Sequence, residues 1–481
     1  MCLTTDVPPD ASLFSPAWRN ISIGSIGLCS MMAFEAMGVA AGMPAVASAL
    51  DGMAWYALAF ASTLAASVLA MVWSGLDCDR RGPFRSMAGG LLLFGAGLLV
   101  SGLAGSMPVV VLGRIVQGFG IGALGVALYV ATARALPAAL HPRLFALFSS
   151  AWVVPAVIGP AIAGYVVEHL GWRWLFLGVL LLLLPTAVLI LPALRRRDEP
   201  ATKVPPPQRV LRWAWLAALS SVGLAPSASA GRIAPIAVVA ALCTLALAAR
   251  RLLPAGTMLL VRGLPTVIAM RGLNASAFFL CEVFVPLWLY QERGWSITAA
   301  GLALTGGALS WSVGSHLQSR VADEARRRAL LGRGCLFLFT GIVISGLTVL
   351  HLFADWMLLV GWSIAGLGAG VSLPMLGVLT LKLAPRAQQG TYSSALQLCA
   401  ALSTSATLAA GGVLFALLLA STSRTPAYSA VFVLAALLAT VALVSAPRVF
   451  DQQEIRRPRA YQPSNPSESS GGCAVPGNLK K

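Results

Sequence analysis

GRIVQGFGIG, residues 113–122, recurs in register as GWSIAGLGAG at residues 361–370, so that Gly113, Gly118, Gly120 and Gly122 correspond to Gly361, Gly366, Gly368 and Gly370. Four glycines matched at one offset, inside apolar runs, indicate two related halves. Small residues at this spacing let helices approach closely, so the glycines read as packing positions, and in a chain whose halves move they also read as packing that slides. The halves differ in chemistry: Arg114 and Gln117 in the first correspond to Trp362 and Ala365 in the second.

Around the repeat the chain is overwhelmingly apolar. Of 481 residues, 58% are hydrophobic and 11% charged, against about 25% charged in soluble domains. A helix needs about 20 apolar residues to cross hydrocarbon about 30 Å thick. Such runs fall at 21–50, 54–76, 86–105, 108–133, 144–167 and 174–194, and again at 265–291, 295–319, 334–354, 356–381, 388–418 and 426–446. Two shorter runs between them, 213–230 and 233–250, read as an apolar hairpin. The expected fold is an all-α membrane protein of fourteen spans. Its expected organisation is a cytoplasmic segment 1–20, a six-helix bundle 21–194, a linker 195–212, the hairpin 213–250, a linker 251–264, a second six-helix bundle 265–447 and a disordered cytoplasmic tail 448–481.

Basic residues divide unevenly between alternate loops. Loops after even-numbered spans carry Arg80, Arg81 and Arg85, then Arg134 and Arg143, Arg195 to Arg197, and later Arg320, Arg326, Arg327, Arg328 and Arg333. The opposite loops carry few. Arginine-rich loops stay cytoplasmic, which puts both termini in the cytoplasm and accounts for the net charge of +17 without nucleic acid. The eight cysteines are scattered singly, without metal-ligand spacing. They read as small core residues rather than a disulfide framework, and no metal or cofactor is expected. Richness in alanine, glycine and arginine suggests a high-GC bacterial gene and hence the inner (plasma) membrane.

Two acids lie within predicted spans. Glu35 is the only charged residue between Ile21 and Leu50. A carboxylate at that depth is costly unless it faces a cavity or a partner, so it marks a functional site. In the apolar pocket expected around it, Glu35 is placed to take up and release a proton; the alternative is an acid satisfied by neighbouring helices, with a structural role only. Glu282 lies in RGLNASAFFLCEVFVPLWL, where helical spacing brings Asn274, Phe278 and Glu282 near one face. An amide, an aromatic ring and an acid together suit amphiphilic or cationic organic compounds, and Glu282 reads equally as a coupling or a cation-recognition residue. Arg271 reads as interfacial, while Phe279, Trp288 and Trp311 read as substrate contacts, packing or a lipid belt. Gln318 and Gln397 are polar positions able to line a passage.

GLDCDRRG, residues 75–82, falls between the second and third spans, and PAVIGPAIAG, residues 155–164, lies in the fifth. Together with Gly113, Arg114, Gln117 and Gly118 these segments resemble the major facilitator superfamily, and within it the drug:proton antiporter branch with fourteen spans. The resemblance runs from about Ile21 to Val444 and implies the major facilitator fold, two six-helix bundles plus two extra central helices. Gly75, Asp79, Arg80 and Gly82 match the family's gating loop, with Asp77 where an apolar residue is usual and Pro83 where a basic one is common. The other reading of these charges is a solvated, positive-inside loop. Arg114 matches an arginine implicated in proton coupling, with snorkelling to an interface as the alternative. Pro155, Gly159, Pro160 and Gly164 match an antiporter motif, implying a fifth helix that is kinked or packed closely against the other half. Glu35, nine residues before Pro44, stands where fourteen-span relatives commonly carry an aspartate.

The implied function is export of a small amphiphilic or cationic drug in exchange for protons, by alternating access. Glu35, Arg114 and Glu282 are the implied coupling residues. Gating falls to Gly75, Asp79, Arg80, Gly82, Pro155, Gly159, Pro160 and Gly164, and substrate contact to Glu35, Gln117, Asn274, Phe278 and Glu282. No nucleotide-binding P-loop is visible, and no enzymatic reaction is expected. The expected partners are protons, the substrate and membrane lipids, with the chain monomeric. A dedicated exporter of one endogenous siderophore, antibiotic or lipid-like compound would carry the same motifs; a non-transporting scaffold or sensor would tolerate neutral replacements of its membrane acids.

Overall fold

The computed structural model describes residues 12–52, 55–195, 208–227, 234–295, 297–321, 323–421 and 423–450. Among these residues the chain forms α-helices joined by short turns. In order they are α1 (Arg19–Ala49), α2 (Tyr56–Arg81), α3 (Pro83–Gly102), α4 (Met107–Ala135), α5 (His141–His169), α6 (Trp174–Arg195) and α7 (Gln208–Ser227). There follow α8 (Ala234–Leu252), α9 (Leu264–Arg293), α10 (Ile297–Ser319), α11 (Glu324–Val349), α12 (Met357–Leu383), α13 (Gln389–Ser421) and α14 (Arg424–Ser445). Ten of them are long and apolar enough to cross a membrane: α1 to α4, α6, α9 and α11 to α14. Helices suit such runs because each one satisfies its own backbone donors and acceptors where no water is available.

The glycine repeat determines how the helices stack. Helix α4 packs against α2 and α3, and α12 against α10 and α11. On α4, Gly113 and Gly120 lie against Gly97, Ser101 and Phe94 of α3, while Gly118 and Gly122 lie against Thr63, Ala66 and Ser67 of α2. On α12 the pattern repeats: Gly361 and Gly368 meet Gly341, Ser345 and Leu338 of α11, and Gly366 and Gly370 meet Gly307 and Trp311 of α10. A Cβ at these positions would run into neighbouring backbone, so the glycines set the helix spacing. Their close contacts are internal to each set of helices. They hold each set together, and the sliding surface expected of them lies elsewhere.

Helix α1 packs on α5 and α6, and α9 on α13 and α14. The set α1–α6 meets the set α9–α14 through α2 with α13, α4 with α13, α5 with α10 and α5 with α12. The pair α7–α8 rests against α2 and α13. Pro374 in α12 cannot supply the N–H that would bond the Gly370 carbonyl, and the Ser315 hydroxyl of α10 donates to that oxygen at 3.0 Å.

Several boundaries differ from the sequence expectation. Helix α7 begins at Gln208, so the linker expected over 195–212 ends earlier; residues 196–207 lie outside the described residues. The tail expected to be disordered from Arg448 is ordered through Phe450. Ala446–Val449 forms a 3-10 turn, with Val449 and Phe450 buried against Leu331, Met375 and Leu379. Apolar side chains there find a groove that the tail's polar composition hides. Residues 451–481 and the first eleven lie outside the described residues.

Candidate functional site

Glu35, at the middle of α1, meets α4 rather than an apolar pocket. Arg114 Nη1 donates to Glu35 Oε1 and, at 3.2 Å, to Gln117 Oε1, while Gln117 Nε2 donates to the same Glu35 oxygen at 3.3 Å. All three are buried, with 2% of Glu35, 5% of Arg114 and none of Gln117 exposed. The helical spacing of Arg114 and Gln117 puts them one turn apart on one face, and Phe60 of α2 presents its ring 6.0 Å from the guanidinium carbon. Arg114 therefore pairs internally instead of snorkelling. Its Nε has no hydrogen-bond partner among the described residues, and both bonds at the site come from Nη1. Breaking a buried pair by removing one member costs about 3–5 kcal/mol. In this conformation neither Glu35 nor Gln117 is open to a substrate.

A second site forms where α2 ends. Asp79 accepts from the Gly390 N–H at 2.6 Å, the Thr391 N–H at 2.8 Å and the Thr391 hydroxyl at 2.6 Å. Its carboxylate thus caps the N-terminus of α13, where unpaired backbone donors and the helix dipole favour negative charge. The approach needs glycine on both sides: a Cβ on Gly75 would lie 2.5 Å from Ser394 Cβ and 2.9 Å from the Gly390 carbonyl. Gly82, at φ +83°, ends α2 and lets Pro83 open α3. Asp77 is also used, accepting from Ser86 at 3.0 Å and pairing with Arg81 at 3.6 Å. Arg80 makes no hydrogen bond or ion pair among the described residues. Asp79 is thus tied to α13 and Arg81 to Asp77, and the solvated-loop alternative describes neither.

The same end carries further bonds between the two sets. Ser394 Oγ donates to the Met71 carbonyl at 2.7 Å, Ser150 and Ser312 hydroxyls lie 2.9 Å apart, and Gln318 Nε2 donates to the Pro142 carbonyl at 3.5 Å. Gly125 of α4 faces Gln397 of α13, and Gly377 of α12 faces Tyr129 and Phe145. Gln318 and Gln397, read from the sequence as passage-lining, stand in this contact. The two sets are closed together at the end that carries Arg80, Arg81, Arg134 and Arg143.

Helix α5 runs unbroken through its motif. Gly159 faces Met37 of α1, within its own set, and nothing lies within 4 Å of a Cβ added at Gly164. Pro155 is buried; the Pro160 side chain lies outside the described residues. The polar contacts of α5 with the other set, from Pro142 and Ser150, lie in its first turns, before the motif.

On α9 the expected face separates. Asn274 is fully buried and turned to α11, with Nδ2 3.6 Å from Cys335 Sγ and Oδ1 without a partner among the described residues. Phe278, 3% exposed, stacks on Trp362 at 4.6 Å and meets Trp311 edge-on at 5.0 Å. Glu282 is half-buried and makes no hydrogen bond or ion pair among the described residues. Asn274 and Phe278 are thus packing residues in this conformation. Arg271 is not interfacial: its Nη1 donates to the Leu373 carbonyl of α12 at 2.9 Å, near Tyr129 of α4. Trp288 is buried beneath Arg293, whose guanidinium carbon lies 4.5 Å from its ring centre. Sequence reasoning missed Thr391 as a donor to Asp79; a hydroxyl in the first turn of α13, after Gly390, is the signal that could have found it.

The Major Facilitator Superfamily model matches residues 23–340 and 267–472. The chain belongs to this superfamily. An uncharacterized MFS-type transporter of Mycobacterium tuberculosis is 25% identical over 395 residues, covering 77% of this chain and 55% of that protein. The chain therefore spans about half the length of that relative. The multidrug efflux pump SdrM of Staphylococcus aureus is 23% identical over 357 residues, covering 71% of this chain and 78% of the pump. Among solved structures, the human organic anion transporter MFSD10 superposes with a TM-score of 0.66 at 14% identity, over 88% of this chain and 100% of that one. A bacterial homologue of the iron transporter ferroportin, in an outward-facing state, gives 0.66 at 14% identity over 89% and 98%. At these identities the likeness is one of fold. The matched proteins are transporters, not enzymes.

Proposed function

We propose that the chain is a proton-coupled antiporter that exports amphiphilic or cationic organic compounds from a bacterial cytoplasm by alternating access. The observation that carries this reading is the buried cluster of Glu35 with Arg114 and Gln117, a titratable pair sealed inside one set of helices. A proton on Glu35 removes the charge that faces Arg114 and loosens α1 from α4; loss of that proton restores the pair. Glu282, half-buried and without a carboxylate-neutralising partner among the described residues, is the second acid available to a proton or a cationic group. One charge crossing about 100 mV carries about 2.3 kcal/mol, which a single coupled proton supplies to export of a neutral compound, whereas one-for-one exchange with a monovalent cation draws on the pH gradient alone.

In this reading all fourteen helices span the membrane, with α1–α6 and α9–α14 as the two rocking bundles and α7–α8 as the additional hairpin. The arginine-bearing end faces the cytoplasm with both termini, and the chain works as a monomer. Asp79 on α13 is then the cytoplasmic latch, and the conformation described is closed on that side. The efflux theme of SdrM supports the direction of transport.

The test is transport of a cationic dye into inside-out proteoliposomes under an imposed pH gradient. Uphill transport should need the gradient, and Glu35→Gln should abolish it while leaving dye binding measurable. Gradient-insensitive transport, or full coupled activity in Glu35→Gln, refutes the proposal. Loss confined to cationic dyes in Glu282→Gln assigns that acid to recognition.

A further inference from the structure

One cavity has no part in the transport reading. It measures about 690 Å³ and lies at the arginine-bearing end of α11 and α14, lined by Arg262, Arg328, Arg333 and Arg448 together with Leu336 and Leu443. Among the described residues no carboxylate lines it. The Gly263 N–H bonds the Arg448 carbonyl at 2.8 Å, which brings the turn before α9 against the end of α14. Arg328 lies over the Phe450 ring at 4.6 Å, and its buried Nε has no hydrogen-bond partner among the described residues. Four arginines from three segments thus line one cavity with no carboxylate among the described residues, an arrangement that an anion stabilises.

The walls identify the anion's carrier. Leu336 is 46% exposed and Leu443 of α14 is half-buried, so the cavity has an apolar wall beside its arginines. A soluble anion has no use for such a wall, whereas an acyl chain does, and basic pockets at the ends of membrane helices hold anionic headgroups. We propose that this cavity binds the phosphate headgroup of an anionic phospholipid, with an acyl chain along Leu336 and Leu443, and that the lipid ties the ends of α9, α11 and α14 together. The proposal rests on the membrane orientation given above only for the leaflet concerned, and not on proton coupling.

The experiment uses the full chain in neutral detergent, with phosphatidylglycerol, phosphatidylcholine or inorganic phosphate added. Bound lipid is read by native mass spectrometry and stability by the thermal midpoint. Phosphatidylglycerol should be retained and should raise the midpoint, while the other two should not. The double variant Arg328→Gln with Arg448→Gln should weaken phosphatidylglycerol binding roughly thirtyfold, at roughly fivefold per arginine. Arg85→Gln, outside the cavity, should leave it unchanged, and Arg328→Lys with Arg448→Lys should preserve much of it. If the glutamine pair does not fold, the wild-type lipid comparison and the lysine pair still decide. Equal retention of both lipids, undiminished binding by the glutamine pair, or equal stabilisation by inorganic phosphate overturns the proposal.

Discussion

Asp79→Asn tests the latch between the two sets of helices while keeping the side chain's size. The carboxylate accepts from Gly390 N–H, Thr391 N–H and the Thr391 hydroxyl, at 2.6, 2.8 and 2.6 Å. A hydrogen bond to a charged group contributes about 1.5–3 kcal/mol against about 0.5–1.5 for a neutral one. Asparagine keeps one acceptor oxygen and puts a donor NH2 in place of the other, so at least one of the three bonds is lost and the rest become neutral. With the lost charge at the helix N-terminus this comes to about 3 kcal/mol or more. These bonds exist only while α2 lies on α13, so their weakening acts on the conformational equilibrium. A change of about 3 kcal/mol moves the ratio of closed to open states at this end by roughly a hundredfold. The assay is a pulsed electron-spin distance between labels at Gly105 and Leu352, in the α3–α4 and α11–α12 turns at the opposite end, on a background without Cys2, Cys243 and Cys473. Asp79→Asn should transfer most of the population to a shorter distance. Gly75→Leu, which forces side-chain atoms against Ser394 and the Gly390 carbonyl, should do the same by steric means. A distance distribution shifted less than about threefold in Asp79→Asn would show that the capping bonds do not govern which end is open.

Two further substitutions test the packing. Gly118→Ala sets a methyl group against the Thr63 carbonyl and 2.8 Å from Ala66 Cβ. It should lower stability by about 1–3 kcal/mol in thermal unfolding, whereas Gly89→Ala, with nothing within 4 Å, should be neutral or gain up to about 1 kcal/mol; equal effects would remove the spacing role of the α4 glycines. Asn274→Leu replaces a buried amide whose oxygen has no partner among the described residues. Stability should hold or rise by about 1 kcal/mol, and a panel of transported dyes should be unchanged; a selective loss of substrates would return Asn274 to the binding surface.

Much of the architecture was legible in the sequence because its causes are local. Apolar runs specify helices wherever the backbone must satisfy itself, and the glycines matched between 113–122 and 361–370 foretold two crossings of the same design. Asp79 was picked out by its loop, and Glu35 and Arg114 by the cost of burying charge. The faces of α9 were not legible. Asn274 and Phe278 share helical spacing with Glu282, yet one turns to Cys335, one stacks on Trp362, and the third makes no polar bond among the described residues.

The sequence by itself determined which segments are helical, that the chain repeats, and which charges are too costly to be idle. Only the tertiary structure decided that Glu35 belongs to Arg114, that Asp79 caps a helix more than three hundred residues away, and that four arginines surround one cavity. The physical reason is that a helix apolar on every side carries no polar stripe to fix its rotation. Its facing is set by close contact with neighbours, and those neighbours are brought together only when the whole set has packed.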